Sequence, residues 1–592
     1  NEDFIRASLL WDSAEGLEVI AKYEYGSFKR NGSSAQILSV PEGTLNDSGT
    51  EVWPDADFDG YSNTNFPFSK NTRTETFSLT LNQELGENTL TSITGYSAYG
   101  QGWSEDADHS PVSALHRNTQ EDFQQYSQEI RLVSPGGETL DWIVGGYWQT
   151  NDLSVDRENL VTDFIQLGST NLAIPPLALT HGQSLTEFEQ TSESWALFGQ
   201  GTWNINETVR VSLGLRYGEE EKQVDKRNYF TDGVGVGVFM GGDRYVYGDP
   251  KSMPYFDDGL GALVPGLAAV IQDTRAHNFQ GLQSEESKLT WSLNTQWDIS
   301  DDVMSYIAVS TGFKGGGFDE AYGDSGESIR MVSFSSIGQL FDRHHIGDPA
   351  NVVSTVAGNG ADNMAFDEET VLSYELGAKM TLADGAANMN VAVFRSEFDN
   401  MQVSSQVGDA FRVGNAGKSI SQGVEVDGRW RFTENLTLGG SLAYLDAYYD
   451  EFEGATCTAA QAESMSGSCA QDLGGETLLF SPDWSANLNL EHVTALGEAL
   501  ELRSSLDLNY ADEFYSALDL DPNTKHDAVT KVNLRLALMS TDNAWSVALI
   551  GKNLTDKTTS VWNNDVALNA AGAYYGVMER PRTVAIQAKH NF

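Results

Sequence analysis

Three short stretches carry the residues best placed to do chemistry. Asp55-Ala56-Asp57-Phe58-Asp59-Gly60-Tyr61-Ser62-Asn63 sets carboxylates at alternate positions ahead of a glycine. This is the order of the first half of a calcium loop, where oxygen ligands at positions one, three and five converge because glycine permits a sharp turn. The twelfth position is Phe66 rather than a bidentate Glu, so a calcium ion on Asp55, Asp57 and Asp59 must borrow a ligand from elsewhere; the alternative is an ordinary acidic loop. Arg343-His344-His345 offers two imidazoles and a guanidinium to haem or a metal complex, although adjacent side chains usually diverge. Cys457 and Cys469 lie in one Gly/Ser/Ala-rich loop with no further Cys or His. They read as a disulfide formed in an oxidising compartment, worth about 2–3 kcal/mol of loop ordering in the chain-entropy description.

Other chemistries lack their residues. No HExxH, GxSxG, Walker A or CxxC pattern occurs, and Gly233-Val234-Gly235-Val236-Gly237 falls in a long loop without the βαβ setting of a dinucleotide site. The expectation is a protein that is not an enzyme. A formal net charge of -49 excludes nucleic acid as the default partner, because phosphate binding needs clustered Lys and Arg. Much of the acidity lies in long loops, where it either solvates the chain or attracts cationic and metal-bearing ligands and bridges through divalent ions to anionic surface lipids.

The elements that must position these residues alternate with a period of two. Val209, Val211, Leu213, Leu215 and Tyr217 interleave with Arg210, Ser212, Gly214, Arg216 and Gly218, a pattern no helix of 3.6-residue period sorts onto two faces. Leu500, Leu502, Leu506, Leu508 and Tyr510 interleave with Glu501, Arg503, Ser505, Asp507 and Asn509; Leu289, Trp291, Leu293 and Trp297 do so with Thr290, Ser292, Asn294 and Gln296. The C-terminal run from Arg582 to Phe592 puts Val584, Ile586, Ala588 and Phe592 on one side. A soluble sandwich alternates too, but here tight polar turns (Asp12–Gly16, Glu84–Asn88, Pro135–Glu138, Asn204–Glu207, Asp298–Asp302, Ala383–Ala386, Thr433–Asn435, Thr494–Glu498, Thr541–Asn543) take turns with long acidic loops. Short turns at one end and long loops at the other are the layout of a membrane barrel.

Aromatics support that layout. Trp195, Trp203, Trp291, Trp297, Trp484, Trp545, Tyr217 and Tyr510 fall on the apolar phase, where amphipathic rings settle at headgroup level. The chain has 592 residues, 57 of them Gly, and 40% hydrophobic composition, without an 18-residue apolar run. The fold expected is all-β, a transmembrane antiparallel β-barrel with about 19 strands present, spanning residues 1–592 as one domain. The wet face then lines a lumen with Arg210, Arg216, Arg503, Asp507 and Arg535, each with the plainer role of bracing it. The largest loops run roughly Asn31 to Lys70, Arg157 to Thr186, Lys226 to Ser284, Asp319 to Asp367 and Asp450 to Thr477. They should form the outer mouth, with Trp53, Arg343, His344 and His345 as candidate ligand contacts.

Six stations in order then carry a resemblance. Tyr306-Ile307-Ala308-Val309-Ser310-Thr311-Gly312-Phe313-Lys314-Gly315-Gly316-Gly317-Phe318 resembles the tyrosine-to-GFKSGGF strand of TonB-dependent outer-membrane receptors. Ser373-Tyr374-Glu375-Leu376-Gly377-Ala378-Lys379, Asn415-Ala416-Gly417 with Gly423-Val424-Glu425, Ser481-Pro482-Asp483-Trp484, Gly551-Lys552-Asn553-Leu554-Thr555-Asp556 and terminal Phe592 follow. The resemblance implies a barrel of about 22 strands around an N-terminal plug, with neither plug nor coupling box in this chain. The first residues, Phe4 to Trp11, would then begin the fourth strand.

The resemblance further implies import of a scarce, bulky ligand across a Gram-negative outer membrane. A ferric siderophore or other iron complex is the commonest cargo, with cobalamin, haem and oligosaccharide as alternatives. The implied partners are a TonB-type energy-coupling protein acting through the plug, outer-membrane lipids, and the barrel-assembly machinery, for which Phe592 is the assembly signal. No cofactor is required; a structural calcium ion in an outer loop is the one candidate, as the acidic run itself suggests. A passive porin-like channel and a surface-binding pedestal are the competing readings.

Overall fold

The computed structural model describes residues 2–13, 15–32, 35–40, 66–107, 109, 115–161, 182–231, 270–271, 277–321, 331–332, 352–354, 364–407, 410–464, 469–566 and 572–591. Trp53, Asp55, Asp57, Asp59, Arg343, His344, His345, Phe592 and the Gly233–Gly237 run lie outside them.

Nineteen strands make one antiparallel meander. They are β1 (Glu2–Asp12), β2 (Leu17–Asn31), β3 (Ser69–Leu85), β4 (Asn88–Asp106), β5 (Leu115–Val133), β6 (Leu140–Val161), β7 (Gly182–Asn204), β8 (Val209–Thr231), β9 (His277–Ser300), β10 (Val303–Lys314), β11 (Glu369–Leu382), β12 (Ala387–Asp399), β13 (Lys418–Arg431), β14 (Leu436–Glu451), β15 (Trp484–Ala495), β16 (Leu500–Ala511), β17 (Val529–Ser540), β18 (Trp545–Lys552) and β19 (Thr583–His590). Each pairs with its sequence neighbours, and among the described residues β1 pairs only with β2 and β19 only with β18. All nine expected tight turns separate consecutive strands at one end. Between β3 and β4, Leu85 faces Asn88 directly, and the two-residue turn takes Gly86 to φ 66°, a conformation glycine adopts without a Cβ penalty.

Register stacks the apolar phase of each strand against that of the next. Leu213 faces Leu293, Leu293 faces Val309, Leu376 faces Val393, and Val393 faces Val424. Leu490 faces Leu506, Leu506 faces Leu534, and Leu549 faces Ile586. Paired residues share a face, so these side chains form one belt, and most of its large members are exposed on the isolated chain. So large an exposed apolar surface requires an apolar solvent. Trp195 and Trp203, about eight residues apart, mark its two edges on β7, roughly 26 Å along a tilted strand. Further edge aromatics include Trp148, Tyr444, Trp484 and Tyr510 at the loop end and Trp11, Trp297, Trp430 and Trp545 at the turn end. None of the described helices is long and apolar enough to cross a membrane; the crossing elements are strands.

The wall is uneven in height. Strands β5 to β9 continue well past the loop-end aromatics, so stretches of the loops expected after Arg157 and Lys226 are ladder instead. Alternation persists there with polar groups on the outer face, as suits a sheet that has left the bilayer. Ala35–Ser39 likewise enters a small sheet with Ser560–Asp565 and Tyr574–Met578.

Candidate functional site

The inner face of the tall wall meets the loop that follows β10. Outside, Glu187, Glu189, Glu193, Glu219, Glu221 and Glu285 share the phase of Trp195, Tyr217 and Leu289. Inside, the opposite phase carries Arg157, Lys222, Lys226 and Lys288, together with Glu220 and Glu286. A chain with a large acidic excess thus turns several of its few cations toward the lumen at the mouth.

Three of those cations, Arg157, Lys222 and Lys226, hold the segment Gly315–Ala321 against the wall. Lys222 Nζ donates to Gly316 O at 2.7 Å, and Gly316 N donates to both carboxylate oxygens of Glu286 at 2.8 and 2.9 Å. Gly316 has no room for a side chain: a Cβ would lie 2.4 Å from Phe366 O. The GGG run is therefore explained by close approach of backbone to carboxylates and to the returning strand. Lys226, almost wholly buried, donates to Asp319 O at 3.1 Å and Glu320 O at 2.7 Å, while Arg157 donates to Glu320 at 2.7 Å. Beneath this polar layer Val155, Phe188, Val224 and Met364 are buried, with Phe318 packed on them. Burying such side chains is worth about 1.5–3 kcal/mol each, so the segment is docked rather than draped.

Distant family stations converge here. Asp319 Oδ2 accepts from Val413 N at 3.1 Å and Oδ1 from Ala321 N at 3.0 Å; burial pushes this carboxyl above its ordinary value, against those two hydrogen bonds. Asn415 Nδ2 donates to Asp367 O at 3.1 Å, and Gln402 Nε2 donates to Gly315 O at 3.0 Å. The hairpin Gln402–Val407 and Ala410–Asn415 is thereby tied to the glycine segment. Within the wall, Tyr306 lies opposite Gly377, where a Cβ would sit 2.4 Å from the tyrosine ring. An aromatic covering a strand glycine explains why these two stations belong together.

The expected lumen residues all lie on the face opposite the apolar belt, and most are held by neighbours. Arg210 donates to Asp298 at 2.9 Å and Gln296 at 3.3 Å. Arg216 stands over the rings of Tyr147 and Phe198 at 5.8 and 5.9 Å. Arg503 donates to Glu501 at 2.6 Å, Asp507 accepts from Asn489 at 2.6 Å, and Arg535 lies opposite Ser505. Cys457 and Cys469 are joined, S–S 2.07 Å, in a loop packed on the end of β14 through Tyr449, Phe452 and Leu473.

Two clusters were not visible in the sequence. Ser516 Oγ and His526 Nε2 lie 2.9 Å apart, a pair that in an open cleft would suggest a nucleophile. Both are buried, Ser516 also bonds Asn563 N and O, and burial lowers the imidazole's affinity for protons; the pair ties two outer loops together. Beside it, Tyr574 donates to Asp521 at 3.1 Å. Burial, then neighbouring Asp519, pushes Asp565 up to about 7. Neither cluster has a local motif, because each joins segments some fifty residues apart.

A curled antiparallel sheet with a lipid-facing belt edged by aromatics and a polar inner face defines an outer-membrane β-barrel. The chain belongs to the family described as TonB dependent receptor-like, beta-barrel, which matches residues 11–554. The metal-pseudopaline receptor of Pseudomonas aeruginosa (strain UCBPP-PA14) is 28% identical over 208 residues, 34% of this chain and 27% of the relative. The pesticin receptor of Yersinia pestis is 30% identical over 159 residues, 25% of this chain and 23% of the relative. The alignments therefore span about a quarter of these relatives' lengths. Among solved structures, the ferric yersiniabactin uptake receptor of Yersinia pestis shares the fold over 98% of this chain and 68% of its own (TM-score 0.63, 15% identity). The siderophore receptor PiuA of Acinetobacter baumannii does so over 99% and 73% (TM-score 0.63, 14% identity).

Proposed function

We propose that this chain forms the barrel of an importer for a scarce metal complex, its cargo an anionic ferric siderophore or related iron complex. Import is driven by a TonB-type coupling protein through a plug seated in the lumen. The observation that carries the reading is the charge bias of the tall wall, with Arg157, Lys222, Lys226 and Lys288 outnumbering Glu220 and Glu286 on the inner face and carboxylates predominating on the outer, in a chain of net charge -49. An anionic complex is repelled from the flank and drawn over the lip, where Lys222, Arg157 and Lys288 exchange their bonds to the docked segment and to Glu368 for bonds to ligand. The names of the metal-pseudopaline and ferric yersiniabactin receptors support a metal-complex cargo. A structural calcium on Asp55, Asp57 and Asp59, ligand contacts from Trp53 and Arg343–His345, and assembly through Phe592 belong to the same proposal.

Tryptophan-quenching titrations of the protein with ferric complexes of opposite net charge test it. Anionic complexes should bind at least tenfold tighter, and Lys222→Glu should erase the preference; binding indifferent to ligand charge would overturn the reading.

A further inference from the structure

On the inner face of β2 to β6, beside the docked segment, a cationic row lies above an aromatic one. In the upper row Arg30 faces Lys70, Lys70 faces Trp103, Trp103 faces Thr119 and Thr119 faces Arg157. Like charges directly opposite each other repel, yet among the described residues neither Arg30 nor Lys70 forms an ion pair, in a chain with 85 Asp and Glu. Each stands over a ring instead, Arg30 at 5.9 Å from the centroid of Phe68 and Lys70 at 5.1 Å from that of Trp103. The lower row is apolar. Tyr99 faces Phe123 with the rings stacked at 5.2 Å and 21°, and Phe123 faces Leu153, which packs on the buried cluster under the docked segment. Phe28 lays its ring over Gly26, where a Cβ would lie 2.8 Å from it, and remains 38% exposed. The two rows are about 13 Å apart along the strands. Lys70 and Trp103 stand about seven residues beyond Phe77 and Tyr96 of the outer belt, roughly 23 Å along the strands, so the patch faces water above the bilayer.

Resting on the anionic-cargo reading above, we propose that this patch is a subsite for aromatic chelating groups, and that the complex taken up holds its iron through phenolate or catecholate oxygens. Charge requires the anion: Arg30 and Lys70 repel each other until a negative group sits between them, and Arg157 extends the same row. The rings select its class. An aliphatic carboxylate chelate satisfies the two cations and leaves Phe28, Trp103 and the Tyr99–Phe123 stack against water. An aryl chelate places its ionised oxygens at the cations and its ring faces or edges against those aromatics in a single pose, gaining stacking area as well as charge contact. The apolar row runs on through Leu153 to the docked segment, so a ligand seated here also reaches Arg157 and Lys222 without leaving the wall.

Calorimetric titration of the protein extracted from outer membranes, with chromium(III) complexes that stand in for iron and exchange their ligands slowly, tests this. The tris(catecholate) and tris(oxalate) complexes carry the same trinegative charge and differ in their rings; tris(acetylacetonate) is neutral. The wild type should bind the tris(catecholate) at least tenfold tighter than the tris(oxalate), and the neutral complex weakest. Trp103→Leu and Phe28→Leu should each reduce that preference to threefold or less, whereas Lys70→Gln should weaken both anionic complexes alike. Equal affinity for the two trinegative complexes, or a preference unchanged in both ring variants, would overturn the aromatic assignment and leave the charge reading standing. Equal affinity for the tris(oxalate) and the neutral complex would overturn the charge reading, and the aromatic assignment with it.

Discussion

Placing an arginine on each face of β8 tests the assignment of the two faces quantitatively. Val211 lies opposite Trp203 and Glu219 opposite Trp195, so the bilayer midplane crosses β8 at Leu215, with Leu213 one same-face step nearer the turns. Both leucines are about half exposed on the isolated chain, hence lipid-facing. Arginine on the lipid face costs about 2–4 kcal/mol at the midplane and less toward the interfaces. Leu215→Arg should therefore lose roughly 2–4 kcal/mol, and Leu213→Arg, about 5 Å nearer the edge, somewhat less. Ser212 faces the lumen, and its hydroxyl shares a 2.8 Å hydrogen bond with that of Thr202. Ser212→Arg gives up that bond, about 1 kcal/mol, while its charge stays in water. Urea titrations of folding into short-chain phosphatidylcholine vesicles measure all three. A cost for Ser212→Arg equal to that of Leu215→Arg would refute the face assignment.

Other expectations follow from particular contacts. Gly377→Ala should destabilise by about 1–3 kcal/mol through overpacking against Tyr306, and Tyr306→Ala should remove most of that cost, a coupling that a double-mutant cycle in the same assay would reveal. Asp565 holds its proton up to about pH 7 in the folded loops, whereas an unfolded Asp releases it near 4. Its contribution is thus fully present below about pH 4 and lost as pH rises through about 7. Proteolysis of the 512–528 loop should accelerate between about pH 4 and 7 and level off above that, and Asp565→Asn should flatten the profile. Reducing Cys457–Cys469 should release about 2–3 kcal/mol of loop ordering, read as faster cleavage within 452–483 while β14 and β15 stay protected; no change on reduction would mean that Tyr449 and Phe452 hold the loop unaided.

The strands were legible because their information is local. Alternation in Val209–Tyr217 and Leu500–Tyr510 names a face without reference to any other segment, and each short turn carries its own Gly, Asn or Asp. The height of the wall was not: beyond Tyr217 the outer face turns from leucine to Glu219 and Glu221, so period-two hydrophobicity ends although the ladder does not. The mouth cluster was hidden for a different reason. Lys226, Asp319 and Val413 meet only after strands β9 and β10 fold back, and Gly316 shows its purpose only beside Glu286 and Phe366. A signal was present in Glu220-Glu221-Lys222-Gln223-Val224-Asp225-Lys226-Arg227, where the inward phase carries Lys222, Val224 and Lys226. Stations such as Tyr306 and Gly377 were recognisable by resemblance before their contact explained them.

The central claim, an energised importer of an iron complex, is tested most directly by uptake of radioactive iron into iron-starved cells that carry this protein, with and without their TonB-type coupling protein. Saturable uptake of an anionic ferric siderophore is expected, disappearing when either protein is removed. Uptake that requires this protein yet continues undiminished without the coupling protein would contradict it and make the barrel a passive channel.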